Sequence, residues 1–270
     1  MSLTFLLGGD LPVNRIGYGA MRLCAQPGNF GRYPDWEAGK RLLRRAVELG
    51  IQFYDTAHAY GPSCNEELLG EALAPYRAGV VIATKGGVEK TAADKVFPDG
   101  RPESLRRRCE ESLRWLRVER IDLYQLHRPD PNVPFVESVG ALAMLRSEGK
   151  VRHVGLSNVT LAQIEEARRV VPIASVQNRY NLLERADDPT IDFCAAHGIA
   201  YLPWGPLAAK PFAPEAPLAS TRGALAWLLR RSPNIIAIPG TTSITHLEEN
   251  LAFGQTPLSD EEFAALSSRT

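Results

Sequence analysis

The sequence predicts a (β/α)8 TIM barrel with an N-terminal hairpin and an extra C-terminal helix. Three observations carry this expectation. Eight short runs rich in Val, Ile, Leu and Tyr alternate with amphipathic stretches of helical length, the pattern of βα units around a parallel sheet. The 270 residues match the roughly 250 that one such barrel needs, so a single domain is expected over 1–270. Polar side chains of several kinds also fall just past the C-terminal ends of the runs, the barrel face where enzymes of this architecture keep their chemistry.

At the start of the chain, Thr4–Leu7 and Leu11–Val13 flank Gly8-Gly9-Asp10 and predict a small hairpin that plugs the bottom of the barrel. Barrel strands are then expected at Arg15–Gly19, Ile51–Tyr54, Val80–Thr84, Ile121–Leu126, His153–Leu156, Ile173–Val176, Ile199–Leu202 and Ile235–Ile238. Their near-continuous apolarity suits strands covered on both faces. The helices between them are Trp36–Leu49, Asn65–Leu73, Glu103–Leu116, Phe135–Ser147, Leu161–Val170, Ala186–His197, Gly223–Arg231 and Ile244–Ala252. Ser63 with Glu66, Thr160 with Gln163 and Ser259 with Glu262 have the spacing of capping boxes, and the last opens the extra helix, Asp260–Leu266. From Pro203 to Pro217, five prolines and four alanines leave no periodicity and predict a loop.

Composition removes several functional classes. Lys and Arg number 31 against 31 Asp and Glu, so the net charge is zero and supplies no general field for nucleic acid or an anionic membrane. No apolar run approaches the roughly 20 residues of a spanning helix, and residues 1–10 lack a basic n-region and a cleavage pattern. A cytoplasmic protein is expected, with no nucleic-acid or membrane partner. Cys24, Cys64, Cys109 and Cys194 form no C-x-x-C pair, so reduced thiols are expected. His58, His127, His153, His197 and His246 lack metal-ligand spacing, so no metal is expected.

The strand ends carry Asp55, Lys85, His127, Ser157-Asn158, Gln177-Asn178, Trp204 and Pro239-Gly240-Thr241. Asp55 alone equally fits a helix cap, His127 a structural histidine, and Tyr60 plain packing. Lys85 is harder to explain away, because it ends a fully apolar strand and a buried ammonium needs a partner, for which Asp55 is the candidate. Taken together, an acid, a base, an imidazole and a phenol at neighbouring strand ends suggest proton transfer. An ordinary tyrosine, with a pKa of about 10, is a poor donor at neutral pH. The Lys85 ammonium is expected to lower that value by favouring the phenolate. Tyr60 can then protonate an oxygen that gains negative charge, with His127 orienting it. Hydride addition to a carbonyl matches this chemistry, and since no side chain donates hydride, a nicotinamide cofactor is required. Gly17-x-Gly19 runs into Met21-Arg22 and breaks the dinucleotide fingerprint, which argues against a Rossmann site.

Phe53-Tyr54-Asp55-Thr56-Ala57-His58-Ala59-Tyr60-Gly61, Thr84-Lys85, Gln125-Leu126-His127, Gly155-Leu156-Ser157-Asn158, Val176-Gln177-Asn178 and Ile238-Pro239-Gly240-Thr241 through Glu249-Asn250 resemble the aldo-keto reductase superfamily over nearly the whole chain. The resemblance implies an (α/β)8 barrel with Asp55, Tyr60, Lys85 and His127 as a catalytic tetrad and Tyr60 as general acid. It implies that Ser157, Asn158 and Gln177 bind the nicotinamide carboxamide and that Trp204 stacks on the ring, where most relatives carry Tyr or Phe. Gly19, Ala20, Met21 and Asp55, with Gly205, Pro206 and Leu207, are implied as further cofactor contacts. So are Ile238, Pro239, Gly240, Thr241, Thr242 and His246, from the turn that wraps the adenosine 2′-phosphate, and Glu249 and Asn250 at the adenine.

Many relatives place Lys and Arg in that turn, where this chain has Gly240 and His246. NADPH is therefore the expected cofactor with NADH also open. Met21, Trp36, Tyr60, His127 and Arg128 are candidates to line the substrate pocket, although Trp36 also fits helix-start packing and Arg128 a solvated side chain. Flanking stretches such as Arg185-Ala186-Asp187-Asp188 resemble a bacterial branch that includes pyridoxal reductases. The expected activity is NAD(P)H-dependent reduction of a small aldehyde or ketone. A cofactor-binding regulatory subunit with little turnover and a metal-dependent hydrolase built on Asp55 and His127 are the alternatives. The oligomeric state is left open.

Overall fold

The computed structural model describes residues 3–76, 78–207 and 218–268, and side chains within these ranges except those of 218–222 and 255. β1 (Thr4–Leu7) and β2 (Leu11–Asn14) pair antiparallel. They are followed by β3 (Tyr18–Gly19), α1 (Trp36–Glu48), β4 (Phe53–Asp55), α2 (Cys64–Leu73) and β5 (Val81–Gly86). After β6 (Val88–Ala92) and β7 (Lys95–Pro98) come α3 (Pro102–Leu116), β8 (Ile121–Leu126), α4 (Phe135–Ser147), β9 (Val151–Ser157), α5 (Leu161–Arg168) and β10 (Ile173–Gln177). The chain then forms α6 (Asp188–Ala196), β11 (Ala200–Tyr201), α7 (Leu218–Arg231), α8 (Ile244–Gln255) and α9 (Asp260–Ser267). The expected proline-rich loop lies, from residue 208 to 217, outside the described residues.

Seven parallel strands run in the order β11-β10-β9-β8-β5-β4-β3. The expected eighth strand, Ile235–Ile238, closes the circle through isolated parallel bridges, Tyr201 to Ile235 on one side and Ile16 to Ala237 on the other. Its ladder is short because Pro233 precedes it and Pro239 follows, and proline brings no N–H. Buried Arg15 reinforces the seam by donating to the carbonyls of Ile235 (3.0 Å), Leu229 (2.6 Å) and Ser232.

Alternation along each strand sorts the core into two layers. Phe53, Val81, Ala83, Leu123, Ala174, Ala200, Leu202, Ile236 and Ile238 fill the barrel interior, and Leu7 and Val13 of the hairpin join that same cluster, so β1–β2 plugs the barrel. Tyr54, Ile82, Tyr124, Val154, Leu156 and Val176 point outward into the helix layer with Leu42, Leu43, Leu68 and Leu142.

Two local expectations need correction. Ser63 and Glu66 form no capping box: Ser63 sits at φ +63° with no capping hydrogen bond, its hydroxyl lies 3.1 Å from His58 Nδ1, and Glu66 turns inward to accept from Thr84 Oγ1 at 2.5 Å. The boxes at Thr160–Gln163 and Ser259–Glu262 do form. The antiparallel hairpin β6–β7, which the apolar pattern did not announce, follows β5 and anchors Lys90 on the Gly28 carbonyl. No helix among the described residues is long and apolar enough to cross a membrane.

Candidate active site

The alternation that buries Phe53, Val81, Ala83 and Leu123 inside the barrel continues to Asp55, Lys85 and Gln125 at the C-terminal ends of β4, β5 and β8. Three polar side chains thus cap an apolar column. Lys85 Nζ, fully buried, donates to Asp55 Oδ2 at 2.7 Å and to the Thr56 carbonyl at 2.8 Å. Asp55 Oδ1 accepts from Gln177 Nε2 at 2.9 Å and from Gln125 Nε2 at 3.3 Å. The carboxylate is therefore held on both oxygens, as a buried charge requires. Gly155 makes room for this arrangement: a Cβ there would meet Ser175 Oγ at 2.2 Å and Gln125 Cγ at 2.9 Å.

Tyr60 reaches the same place from the loop after β4. Its ring lies 5.1 Å from Lys85 Nζ and edge-on to His127, with ring centroids 5.9 Å apart and an interplanar angle of 84°. Burial pushes the phenol pKa up, the Lys85 charge pulls it down, and Asp55 pushes it up again. The net direction is upward, against the expectation that Lys85 would lower it: desolvation of a phenolate outweighs one ammonium that is itself paired. For Lys85, burial opposes the charge, but Asp55 and Tyr60 raise its pKa above the ordinary lysine value. His127 is pushed well below the usual imidazole range by burial, with Lys85 and Arg128 adding to the effect, so it is neutral at pH 7. Its Nδ1 is buried with no partner among the described residues.

Asn158 adopts the left-handed region at φ +57°, which asparagine tolerates better than most residues. From there its amide donates to the His127 carbonyl and to Ser157 Oγ, both at 3.0 Å, and accepts from Trp204 Nε1 at 3.1 Å. One side chain thereby locks the indole to the ends of β8 and β9. Asn178, by contrast, is used structurally, bonding the backbone of Val159 and Asp187 Oδ2.

A cleft of about 430 Å³ opens over this constellation. Of the residues expected at the site, it is lined by Gly19, Met21, Asp55, Tyr60, His127, Arg128, Ser157, Asn158 and Gln177. Trp204, Gly205, Pro206, Leu207, Ile238, Pro239 and Gly240 continue the lining. Lys85 lies beneath it, bonded to Asp55. Ala20, Thr241, Thr242, His246, Glu249 and Asn250 stand outside the lining, the last five on the segment leading into and along α8. Trp36 also stands outside: its indole donates to Glu71 Oε2 at 2.8 Å and Arg32 covers its ring at 3.9 Å, the packing of a helix start. Arg22 and Asn29 line the cleft without having been singled out. Gln125, which positions Asp55, was also missed; the signal was its inward register with Leu123. Among the described residues, no group of three or more His, Cys, Asp and Glu is placed to hold a metal ion.

Behind Lys85, Glu66 is fully buried, its Oε2 without a hydrogen-bond partner among the described residues and 4.0 Å from His58 Nδ1, and burial pushes its carboxyl up to about 7 against the lowering pull of Thr84 and Ser112. Between its unfolded value of 4.5 and about 7, the folded chain keeps a proton that the unfolded chain loses. This group therefore makes stability fall as pH rises through that window, by on the order of 3 kcal/mol in full. His58, pushed down to about 4 by burial, acts in the opposite sense below pH 6.5, so only the difference between wild type and variant isolates Glu66. Glu66→Gln is expected to raise Tm at pH 8 and to lose that advantage at pH 5; thermal unfolding at the two pH values checks it, and an equal gap at both would refute the assignment.

Comparison with known proteins bears on this geometry. The sequence profile of the Aldo/keto reductase family matches residues 15–216 and 210–269. An oxidoreductase of Schizosaccharomyces pombe is 44% identical over 268 residues, covering 96% of this chain and 87% of that protein. The pyridoxine 4-dehydrogenase of Escherichia coli is 41% identical over 282 residues, covering 98% and 97%. An aldo-keto reductase of Klebsiella pneumoniae, solved in complex with NADPH, superposes with a TM-score of 0.80 at 26% identity, covering 98% of this chain and 94% of that one.

Proposed function

The chain belongs to the aldo/keto reductase family and is an NAD(P)H-dependent oxidoreductase, and from that premise we propose that it reduces a small aldehyde or ketone to the alcohol using Tyr60, Lys85, Asp55 and His127. The observation that carries this reading is the buried Lys85–Asp55 pair at 2.7 Å with the Tyr60 ring 5.1 Å from the ammonium. When bound, NADPH supplies the hydride from its nicotinamide.

The remaining chemistry belongs to the chain. As the carbonyl oxygen gains negative charge, Tyr60 gives it the phenolic proton. The raised pKa keeps that proton in place at neutral pH. The phenolate left behind is stabilised by Lys85, whose charge is already fixed by Asp55 and therefore needs no reorganisation. Neutral His127, edge-on to Tyr60, offers a hydrogen bond to the same oxygen. Asp55 positions Lys85, and Gln125 and Gln177 position Asp55.

The residues present also suit the cofactor. Ser157, Asn158 and Gln177 are grouped at the cleft wall to hold a carboxamide, with Trp204 beside them as a flat stacking surface. Gly205, Pro206 and Leu207 with Ile238, Pro239 and Gly240 form the lining through which the phosphates would run. Glu249 Oε2, buried with no partner among the described residues, is an acceptor suited to the adenine amino group. The N-terminus of α8, capped by Ser243, offers free N–H groups to a 2′-phosphate next to His246. Titration with NADPH and with NADH is expected to quench tryptophan fluorescence through Trp204, with tighter binding of NADPH. Quenching that survives Trp204→Leu undiminished, or no quenching by either nucleotide, would remove the site.

A further inference from the structure

The charges of the cleft say what the rest of the substrate is. Asp55 is the sole carboxylate among the lining residues, and Lys85 neutralises it at 2.7 Å. His127 is neutral. Arg128 lines the same cleft, and no second carboxylate among the lining residues offsets its charge.

Arg128 follows His127 directly at the end of β8, which places it at the side of the cleft where the carbonyl must lie. Its side chain is exposed and makes no hydrogen bond, ion pair or ring contact among the described residues. Exposed Arg41, Arg114 and Arg120 likewise make none, but they lie outside the cleft, and what sets Arg128 apart is its place in the lining. Arg179 pairs with Glu184, and Arg101 meets Asp99 at 2.8 Å. The acid nearest to Arg128 in the chain, Asp130, is engaged elsewhere, accepting from the backbone N–H of Gly100 at 3.0 Å and of Asn132 at 2.9 Å. No other charge in the cleft therefore competes for this guanidinium.

We propose that Arg128 is a specificity-determining residue that selects carbonyl substrates bearing an anionic oxygen group, carboxylate or phosphate. The inference rests on the reductase reading above and deepens it. A guanidinium presents two parallel N–H donors that match such a group in a fork, and a cleft with low-dielectric walls focuses its field on an entering anion. The cofactor phosphates are assigned above to the Gly205–Leu207 and Gly240 lining and the start of α8, which leaves Arg128 unclaimed.

Two matched pairs of aldehydes test the inference with NADPH as reductant: 4-formylbenzoate against its methyl ester, and glyceraldehyde 3-phosphate against glyceraldehyde. The readout is the ratio of kcat/KM for the anion over its neutral twin. In the wild type this ratio is expected to reach about 10 to 100, the size of a hydrogen bond to a charged group, and to fall as salt is raised. The preference should lie in KM, because the contact is the same in ground and transition states. Arg128→Ala is expected to bring the ratio close to one, while Arg128→Lys, which keeps the charge and loses the fork, should retain part of it. Preference in one pair alone identifies the anion as carboxylate or as phosphate. A wild-type ratio of one or less in both pairs, or a ratio that survives Arg128→Ala, overturns the inference and leaves the reductase reading standing. Failure to consume any of the four aldehydes removes that reading and the inference with it.

Discussion

Tyr60→Phe is expected to lower kcat for carbonyl reduction by about 10²- to 10⁴-fold, the size of one general acid, while NADPH still quenches Trp204. The ring and its edge contact with His127 survive the substitution, since only the hydroxyl is removed. The carbonyl oxygen must then take a proton from water, without a donor whose conjugate base faces a fixed ammonium. The direction of the Tyr60 pKa adds a pH signature. Burial raises it above the ordinary tyrosine value, so the phenol stays protonated through neutral and mildly alkaline pH. The wild-type reduction rate should accordingly show no loss between about pH 6 and 9 from deprotonation of Tyr60, the ordinary value being about 10. Steady-state kinetics across that range on both proteins provides the measurement. A variant within threefold of wild type would show that the proton comes from elsewhere.

Lys85→Met should be costly in two ways. Catalytically, it removes the charge that stabilises the Tyr60 phenolate. Structurally, it strands Asp55, which is 3% exposed, with only two amide donors, Gln125 and Gln177. Breaking a buried pair by deleting one partner typically costs about 3–5 kcal/mol. Urea unfolding near pH 7 is expected to show a loss of that order. Adding Asp55→Asn, which removes the stranded charge, should return much of the stability and none of the activity. The lysine contributes in this way at any pH below its ordinary range, because its folded pKa is raised and the stabilisation is lost only as pH climbs past that value. If the single variant proved as stable as the double, the pair would not be the anchor described here.

How the site could be read from the chain, and where that reading stops, follows from the range of the interactions involved. The strands at Ile121–Leu126 and Ile173–Val176, the latter observed to run one residue further, and the helices at Trp36 and Phe135 were visible because apolar spacing and capping residues act over a few positions. The ends of those strands also marked Asp55, Lys85, His127, Ser157 and Gln177, since a charge or an amide after a fully apolar run has to be accommodated at the barrel mouth. Local spacing misled at Ser63 and Glu66: their S-x-x-E pattern looks like a cap, but Thr84, 18 residues from Glu66, offers the carboxyl a buried donor. The hairpin at Val88–Pro98 has weak apolar alternation and was not apparent.

Taken alone, the chain determined the barrel, its closing hairpin and extra helix, and which side chains crowd one end of it, because strand alternation and helix periodicity are properties of consecutive residues. Only the tertiary structure decided that Trp36 packs against Glu71 outside the cleft, that Gln125 and Gln177 brace Asp55 across 70 and 122 residues of sequence, and that Tyr60 is driven upward instead of downward in pKa. Those outcomes depend on distances and desolvation, quantities that exist only once the strands have closed around one another.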